Sequence, residues 1–187
     1  MIDRQKPMRK GELAEEKQFD ERVVHIDRVA RVVKGGRRFR FRALVVVGDK
    51  KGRVAVASAK GADVTAAVSK AVDVAKKNLV NIHLYNGTIP HEALAKVGGA
   101  QIFIKPASPG TGLIAGGVVR TVLEVAGVRN ALSKSLGSTN KTNTAYATID
   151  ALQSVKPASE WVTRSASSSS KSGSKPTRKA HKKEEIA

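Results

Sequence analysis

Lysine and arginine residues are concentrated in one stretch of the chain, from Arg22 to Arg53. Eleven basic residues stand there against two aspartates, a net charge of +9, which is half of the +18 carried by all 187 residues. Each basic side chain placed against a phosphate releases a condensed counterion. The stretch therefore predicts a polyanionic partner. Nucleic acid is favoured over a membrane, because the sequence has no apolar run of about 18 residues and no strongly amphipathic basic helix.

Part of this charge follows the spacing of a β-strand. Arg38, Arg40 and Arg42 are two residues apart, so they share one face of a strand. A solvated strand face is the simpler interpretation, but like charges in register are mildly costly, which favours phosphate contact. The predicted RNA-binding residues are Arg28, Arg31, Lys34, Gly35, Gly36, Arg37, Arg38, Arg40, Arg42, Lys50, Lys51 and Arg53.

Residues for catalysis or metal binding are scattered. Cysteine is absent, which excludes disulfides, zinc–thiolate sites and thiol chemistry. The four histidines (His25, His83, His91 and His181) lack metal-ligand spacing. The few acidic residues between positions 90 and 160 form no sequence-local pair for acid–base work. We expect a protein that is not an enzyme and that uses no metal and no cofactor.

A glycine-rich segment over residues 110–117 resembles a nucleotide-binding loop. Its third glycine is one position late for G-x-G-x-x-G, and no Lys-Ser or Lys-Thr follows as a P-loop would need. Glycines before a helix can still bind an anion through backbone N–H groups. Close packing of the loop against a neighbouring segment is the interpretation that we favour.

The first half of the folded region has the pattern of three strands and a helix. Residues 23–33 and 38–47 predict a hairpin around the turn at 34–37, and residues 53–59 predict a third strand. Asp63 is a good N-cap for a helix that reaches about residue 80. Three antiparallel strands with a helix on one face are about the minimum for a stable layer.

Aromatic residues and lysines near this layer leave alternatives open. Phe39 and Phe41 could stack on bases, but their alternation below a helix favours a place in the core. Lys70 and Lys77 could contact RNA or simply solvate the helix. Trp161 is interpreted as a packing anchor at the edge of the folded part.

The second half of the folded region has a different pattern. Residues 88–95 and 100–105 predict a hairpin, after a turn at Asn86-Gly87. The apolar run at 113–126 predicts a buried helix ended by Gly127, with Arg120 and Glu124 on its exposed edge. A strand at 128–137 and a helix at 142–152 complete the prediction.

The two ends of the chain differ from its middle. The first residues lack the apolar segment of a signal peptide and carry acids that a transit peptide avoids, so we expect a cytoplasmic protein. Beyond Pro157 the sequence is rich in serine and lysine, which predicts a disordered basic tail. Such a tail adds loose attraction to RNA.

Several blocks of sequence closely resemble the family of bacterial small-subunit ribosomal protein five (uS5). The resemblance runs from about residue 19 to residue 152 in the family's order. Arg40 and Arg42 stand where the family often has smaller polar residues. The blocks are VKGGRRFRF at 33–41, ALVVVGD at 43–49, GRV at 52–54, PASPGTG at 106–112, IAGG at 114–117, VLEVAGV at 122–128 and GSTN at 137–140.

This resemblance implies an α+β fold with two domains. The N-terminal domain, at 19–82, would be a β-β-β-α unit like a double-stranded-RNA-binding domain. The C-terminal domain, at 83–157, would be a two-layer α/β domain with a left-handed βαβ crossover. An N-terminal extension at 1–18 and the serine–lysine tail at 158–187 would lie outside the family's pattern.

The resemblance also implies a structural role in the small ribosomal subunit. The protein would bind 16S ribosomal RNA, stabilise the arrangement of head and body, and line the path by which mRNA enters. It would contact ribosomal proteins four and eight, and Gly112 and Arg120 match positions that the family associates with protein four and with translational accuracy. The rival hypotheses are a free-standing RNA chaperone or regulator and a nucleotide-dependent enzyme built around 110–117.

Overall fold

The computed structural model describes residues 19–157 and residue 160. The extension at 1–18, Trp161 and all of the predicted tail except Glu160 lie outside these residues. The elements form two four-stranded sheets and three helices. Their bounds are β1 Asp20–Val33, β2 Gly36–Gly48, β3 Arg53–Gly61, α1 Val64–Lys77, β4 Val80–Asn81, β5 Ala93–Val97, β6 Ala100–Pro106, β7 Leu113–Ile114, α2 Gly117–Ala126, β8 Ala131–Gly137 and α3 Lys141–Gln153.

The first sheet is built on a long hairpin, as predicted. Its strand order is β1-β2-β3-β4, and all neighbours are antiparallel. The tight turn is formed by Lys34 and Gly35, because Val33 already pairs with Gly36. Gly35 has a φ of +89°, a conformation that glycine adopts at little cost. The pattern of alternating residues therefore predicted both strands, although each is longer than expected.

Helix α1 covers one face of this sheet through small side chains. Ala67, Ala71 and Ala75 are fully buried and pack with Ala43, Val45 and Val47 of β2 in one apolar cluster. The helix begins after Asp63, as expected, but the Asp63 side chain makes no capping hydrogen bond. It ends at Lys77, about three residues before the predicted end.

The second sheet has the order β5-β6-β8-β7 and is mixed. Strands β5, β6 and β8 are antiparallel, whereas β7 runs parallel to β8. A parallel neighbour requires a crossover, and α2 supplies it. The β7–α2–β8 unit is thus the expected βαβ connection, and its left-handed sense stays a prediction. Helix α3 packs on β5 and β6, which makes the two layers.

The predicted helix over 113–126 is wrong in its first turn. Residues Leu113–Ile114 form β7, and the helix starts only at Gly117 after the N-cap Gly116. Gly116 and Gly117 interrupt the helical pattern. Pairing with β8 satisfies the backbone groups of Leu113 and Ile114. Ile114 is 58% exposed, so the apolar run is not buried throughout. Gly127, with a φ of +92°, ends the helix as predicted.

The second face of the first sheet is buried against the second half of the chain. Leu44, Val46 and Val56 lie in one apolar cluster with Ile102 of β6 and Leu123 of α2. The sequence pattern predicted a helix on one face of this sheet and gave no sign of a cover on the other. The predicted division of the domains at 82/83 stays a prediction, and an apolar core joins its two sides.

A backbone junction fixes the turn between β2 and β3 on the end of α2. The backbone N–H groups of Lys50 and Gly52 donate to the carbonyl oxygens of Val125 and Ala126, at 3.1 and 3.0 Å. A Cβ atom placed on Gly127 would lie 2.2 Å from the Lys50 carbonyl oxygen. Only glycine permits this approach, so the junction depends on that residue.

Within residues 19–157 and 160, no helix combines the length and apolar character needed to span a membrane.

Candidate nucleic-acid interface

The end of the β1–β2 hairpin projects beyond the rest of the first sheet. Strand β3 pairs with β2 only as far as Phe41, which lies opposite Arg28 on β1. We call residues 28–41 the hairpin ribbon. Five residue steps separate its base from its turn, which corresponds to about 17 Å at 3.3 Å per residue. The ribbon carries six basic residues and no acidic residue, so it is a strongly positive projection.

One face of the ribbon is rich in arginine. Arg31 lies directly opposite Arg38, and Arg40 lies opposite Val29, so their side chains share a face. We call this the arginine face. With Lys34 and Lys60 it lines an open groove of about 720 Å³. Cations that converge on a groove with apolar lining residues suit a phosphate backbone. Each cation neutralises one phosphate, while the groove positions the nucleic-acid strand.

Arg42 differs from the arginines nearer to the turn. Its Nε and Nη2 atoms donate to Oδ2 of Asp27 at 3.0 and 2.6 Å. His25 Nε2 lies 2.7 Å from the other carboxylate oxygen. The hydrogen bond from Arg42 is the main cause that holds the pKa of Asp27 below its ordinary value, against the opposing effect of burial. Arg42 is therefore anchored within the protein, whereas Arg31, Arg38 and Arg40 have no ion-pair partner among the described residues.

Lys60 extends the arginine face onto β3, and Lys70 of α1 lines a groove together with it. Lys60 lies opposite Arg42 in the β2–β3 register. A second groove beside the first is lined by Arg40, Lys60 and Lys70, among others. The structure thus brings Lys70 to the basic surface. Lys60 was not predicted, because the only signal for it was its position in a strand register that the sequence does not specify.

The opposite face of the ribbon carries the exposed aromatic residue. Phe39 is 49% exposed, so its predicted place in the core is wrong, while Phe41 is partly buried against the α1 cluster. The physical reason is that β3 ends opposite Phe41, so Phe39 lies beyond the part of the sheet that packs against α1. Arg28 stacks over the Phe39 ring at 3.8 Å from its centroid. We call the side that carries Arg28, Ala30, Val32, Arg37 and Phe39 the aromatic face.

Lys50, Lys51 and Arg53 lie far from the ribbon, although the sequence predicted them as part of the same RNA-binding set. They follow the other end of β2, about 40 Å from Gly36 at 3.3 Å per residue. Arg53 Nε donates to Asp49 Oδ2 at 2.7 Å, and Lys50 Nζ lies 3.1 Å from Asp20. The structure therefore separates the predicted RNA-binding residues into two groups at opposite ends of one strand.

The carboxylate of Asp49 organises this second group. It accepts hydrogen bonds from the backbone N–H groups of Lys51 and Arg53 at 2.8 and 3.0 Å. Burial alone would raise the pKa of Asp49, but these bonds and the Arg53 side chain hold it below its ordinary value. The turn is thus held by its own charges as well as by its junction with α2.

The glycine-rich loop is organised by an asparagine from the connection between α2 and β8. Oδ1 of Asn130 accepts hydrogen bonds from the backbone N–H groups of Gly110 and Gly112, at 3.2 and 3.0 Å. A Cβ on either glycine would meet no atom within 4 Å among the described residues, so the close-packing interpretation is wrong. Both glycines have positive φ angles, of 93° and 73°, which explains their type. No signal in the sequence pointed to Asn130.

Glu124 joins the two halves of the fold through a pair of arginines. Its Oε1 accepts a hydrogen bond from Arg120 Nε at 3.0 Å, the pairing predicted along one helix edge. Its Oε2 accepts from Arg22 of β1 in a short contact that was not predicted from the sequence. The hydrogen bond from Arg22 is the main cause, followed by that from Arg120, that lowers the pKa of Glu124 from its ordinary value.

Replacing Glu124 with Gln should destabilise the fold in a pH-dependent way. A lowered pKa means that the ionised carboxylate stabilises the folded state, fully above the ordinary value of 4.5. This contribution is lost as the pH falls through the lowered folded-state pKa. We expect a loss of about 0.5–1 kcal/mol at pH 7 that shrinks below pH 4. The free energy of unfolding in urea, measured for both proteins at pH 7 and at pH 3, gives this loss.

The control for this prediction is Glu92→Gln, at an exposed carboxylate with no ion pair among the described residues. It should change the free energy of unfolding by less than about 0.5 kcal/mol at pH 7. A loss in Glu124→Gln that is equal at pH 7 and at pH 3 would show that the ion pairs are not its source.

The outer face of the second sheet is apolar and basic. Its side chains point away from α3, because Leu94 and Leu132 alternate with residues that are buried in the core. We call it the outer sheet face. Leu94 is 55% exposed, and Lys96, Lys105 and Lys134 are also exposed on this side. An apolar patch of this kind on a folded domain is typical of a protein interface.

The described residues provide no group of three or more histidine or acidic side chains that could hold a metal ion. The geometry instead offers a cationic ribbon, an anchored glycine loop and an outer sheet face.

Two family descriptions match the chain, in the order in which they occur along it. "Ribosomal protein S5, N-terminal domain" matches residues 19–83, and "Ribosomal protein S5, C-terminal domain" matches residues 95–164. Together these matches cover well over half of the 187 residues. The fold agrees with them, since an antiparallel sheet with one helix precedes a mixed sheet with helices. The chain therefore belongs to the ribosomal protein S5 family, which consists of structural components of the small ribosomal subunit.

Proposed function

We propose that this chain binds 16S ribosomal RNA through the hairpin ribbon and uses that contact to hold the head and body of the small subunit in their arrangement. The observation that carries the proposal is the arginine face, where Arg31, Arg38 and Arg40 share one side of a projecting ribbon without ion-pair partners among the described residues. Each of the three can neutralise a phosphate on arrival of RNA without first breaking an internal ion pair.

The ribbon also suits this role by its shape. A two-stranded β-ribbon is narrow enough to enter an RNA fold, and backbone pairing along β1 and β2 keeps it ordered over that distance. Its base is fixed, because the sheet below it is buried on both faces. The same basic projection would line the path by which mRNA enters the subunit.

We further propose that the second half of the chain contacts ribosomal proteins four and eight. The outer sheet face supports this, because exposed leucines among lysines can pack against a partner that carries acidic residues. Ile114, at the edge of this face, follows directly on the loop that contains Gly112. Arg120 is 57% exposed on its side chain, so it can contact a partner while Glu124 holds its Nε.

A contact of this kind would influence translational accuracy through conformational bias. If the interface with protein four opens when the subunit closes, each change in its strength shifts that equilibrium in a defined direction. A stronger contact at Gly112 or Arg120 would disfavour closure, and a weaker one would favour it.

Placing a charge on the outer sheet face should impair assembly without unfolding the protein. In Leu94→Glu a carboxylate replaces the most exposed leucine of the face. Contact with a partner would then bury that charge without an ion-pair partner. We expect the variant to unfold at the same temperature within about 2 °C but to enter small subunits several-fold less efficiently. The measurement is competition with tagged wild-type protein in reconstituted subunits.

The matched control is Tyr146→Glu on the exposed side of α3, the opposite layer of the same half. It should assemble like the wild type. Equal incorporation of both variants would contradict a partner on the outer sheet face.

The test of the proposed function as a whole is sedimentation of cell lysate through a sucrose gradient at moderate and at high salt. We expect the chain to migrate with the small subunit at both, because an integral component is held by many contacts beyond its screened charges. If the chain stays at the top of the gradient at both salt concentrations, the proposal fails and the free-standing RNA-binding protein takes its place.

A further inference from the structure

The aromatic face of the hairpin ribbon exposes apolar side chains of a kind that are normally buried under a second layer. Phe39 is 49% exposed and Val32 is 76% exposed. Both lie outside the apolar cluster that α1 forms, which does include Phe41. Three exposed positions of the face are thus apolar (Ala30, Val32 and Phe39), and two carry arginine (Arg28 and Arg37).

Arg28 and Phe39 are already stacked. The Arg28 guanidinium carbon lies 3.8 Å from the centroid of the ring, which is the contact distance of two flat groups. Among the described residues Arg28 makes no ion pair, so its position depends on the ring and on the strand below it. The pair presents a flat and partly exposed surface whose orientation is fixed by two adjacent strands.

We propose that Arg28 and Phe39 form a stacking site for an unpaired base of RNA, which rests on the proposed function above and adds a second kind of contact to it. Unpaired RNA bases stack on aromatic rings and on arginine guanidinium planes, and both are present here in one pair. The absence of acidic residues from the whole ribbon makes RNA the fitting occupant, because a base always arrives with a phosphate.

The two faces of the ribbon then do different work on one RNA loop. Side chains of Arg31, Arg38 and Arg40 contact phosphates on the arginine face, while Phe39 receives a base on the other. Phosphate contacts depend strongly on salt, whereas stacking of a neutral base depends on it little. This difference makes the two contributions separable by experiment.

The probes are small-subunit ribosomal RNA and a short single-stranded oligouridylate that carries one 2-aminopurine, whose fluorescence falls on stacking. The full chain is titrated with each RNA over a range of salt concentrations. In Phe39→Leu we expect binding to weaken by about five- to a hundredfold at every salt concentration, with an unchanged salt slope and with loss of the fluorescence change. Phe39→Trp should retain both.

Arg28→Lys separates the plane of the guanidinium from its charge. It should bind several-fold more weakly, with the slope preserved, because lysine keeps the charge but cannot stack flat. The matched control is Phe103→Leu on the outer sheet face, which should bind RNA like the wild type. Thermal unfolding checks that Phe39→Leu folds normally, as expected for a ring outside both apolar clusters.

Unchanged affinity and an unchanged fluorescence response in Phe39→Leu would overturn the stacking site while leaving the proposed function intact. A reduced salt slope in that variant would also overturn it, because the ring would then only support the arginine face. Normal RNA binding together with loss of the variant from assembled subunits would assign the face to a protein partner instead. Failure of the wild-type protein to bind either RNA would contradict the proposed function itself.

Discussion

Replacing Arg31, Arg38 and Arg40 together with glutamine should weaken binding to 16S ribosomal RNA by on the order of a hundredfold at 0.15 M salt. The three side chains share the arginine face and have no ion pair within the described chain, so their positive charge is free for phosphate. Each lost contact removes about 0.7–0.9 from the slope of log K against log salt. The slope should therefore fall by about 2–3, as measured by filter binding or fluorescence titration.

The control for this variant removes the same charge elsewhere. Lys96, Lys105 and Lys134 are exposed on the outer sheet face, and their joint replacement by glutamine lowers the net charge equally. We expect that triple variant to retain affinity within about threefold. If both triple variants lose affinity to the same extent, RNA senses only the total charge of the protein, and the arginine face has no special role.

Gly127→Ala should destabilise the folded protein strongly, by about 2–4 kcal/mol. The residue has a φ of +92°, which costs a side chain energy by itself. Its new Cβ would lie 2.2 Å from the Lys50 carbonyl oxygen, a backbone atom that cannot move alone. The turn between β2 and β3 would have to leave the end of α2, with loss of the hydrogen bonds to Val125 and Ala126.

The matched control is Gly117→Ala in the same helix, where a Cβ meets no described atom within 4 Å and φ is not positive. It should leave stability unchanged or raise it by about 0.5 kcal/mol, since alanine restricts the unfolded chain. Urea unfolding of both variants measures the difference. If Gly127→Ala is as stable as Gly117→Ala, the junction does not hold the two halves of the fold together.

The β1–β2 hairpin was predictable from the sequence because its causes are local. Alternating residues on both sides of Lys34-Gly35 specify two strands and a turn, and these interactions lie within a few residues of one another. Gly127 was predicted as a helix end for the same reason, since a left-handed residue after an apolar helix is a local requirement. Charge density likewise depends only on the local sequence, and it located the basic segment on the hairpin.

The expectations from the sequence were wrong where a distant segment decides the environment of a residue. Phe39 and Phe41 are equivalent by alternation, yet Phe41 packs against the α1 cluster, whereas Phe39 lies beyond the end of β3 and is exposed. Residues 113–114 looked like the start of a helix until a parallel neighbour, β8, gave them a strand partner. Neither outcome can be read from local periodicity, because each depends on where another strand stops or begins.

The sequence by itself determined that this chain is a basic α+β protein with an arginine-bearing hairpin, because composition, alternation and turn chemistry act over short distances. Only the tertiary structure decided how the cations are used. It released Arg38 and Arg40 into a groove and anchored Arg42 on Asp27. It also placed Lys50 and Arg53 about 40 Å from the hairpin turn, because the whole length of β2 lies between them. Charge is a property of composition, but its availability depends on which partners the fold places beside it.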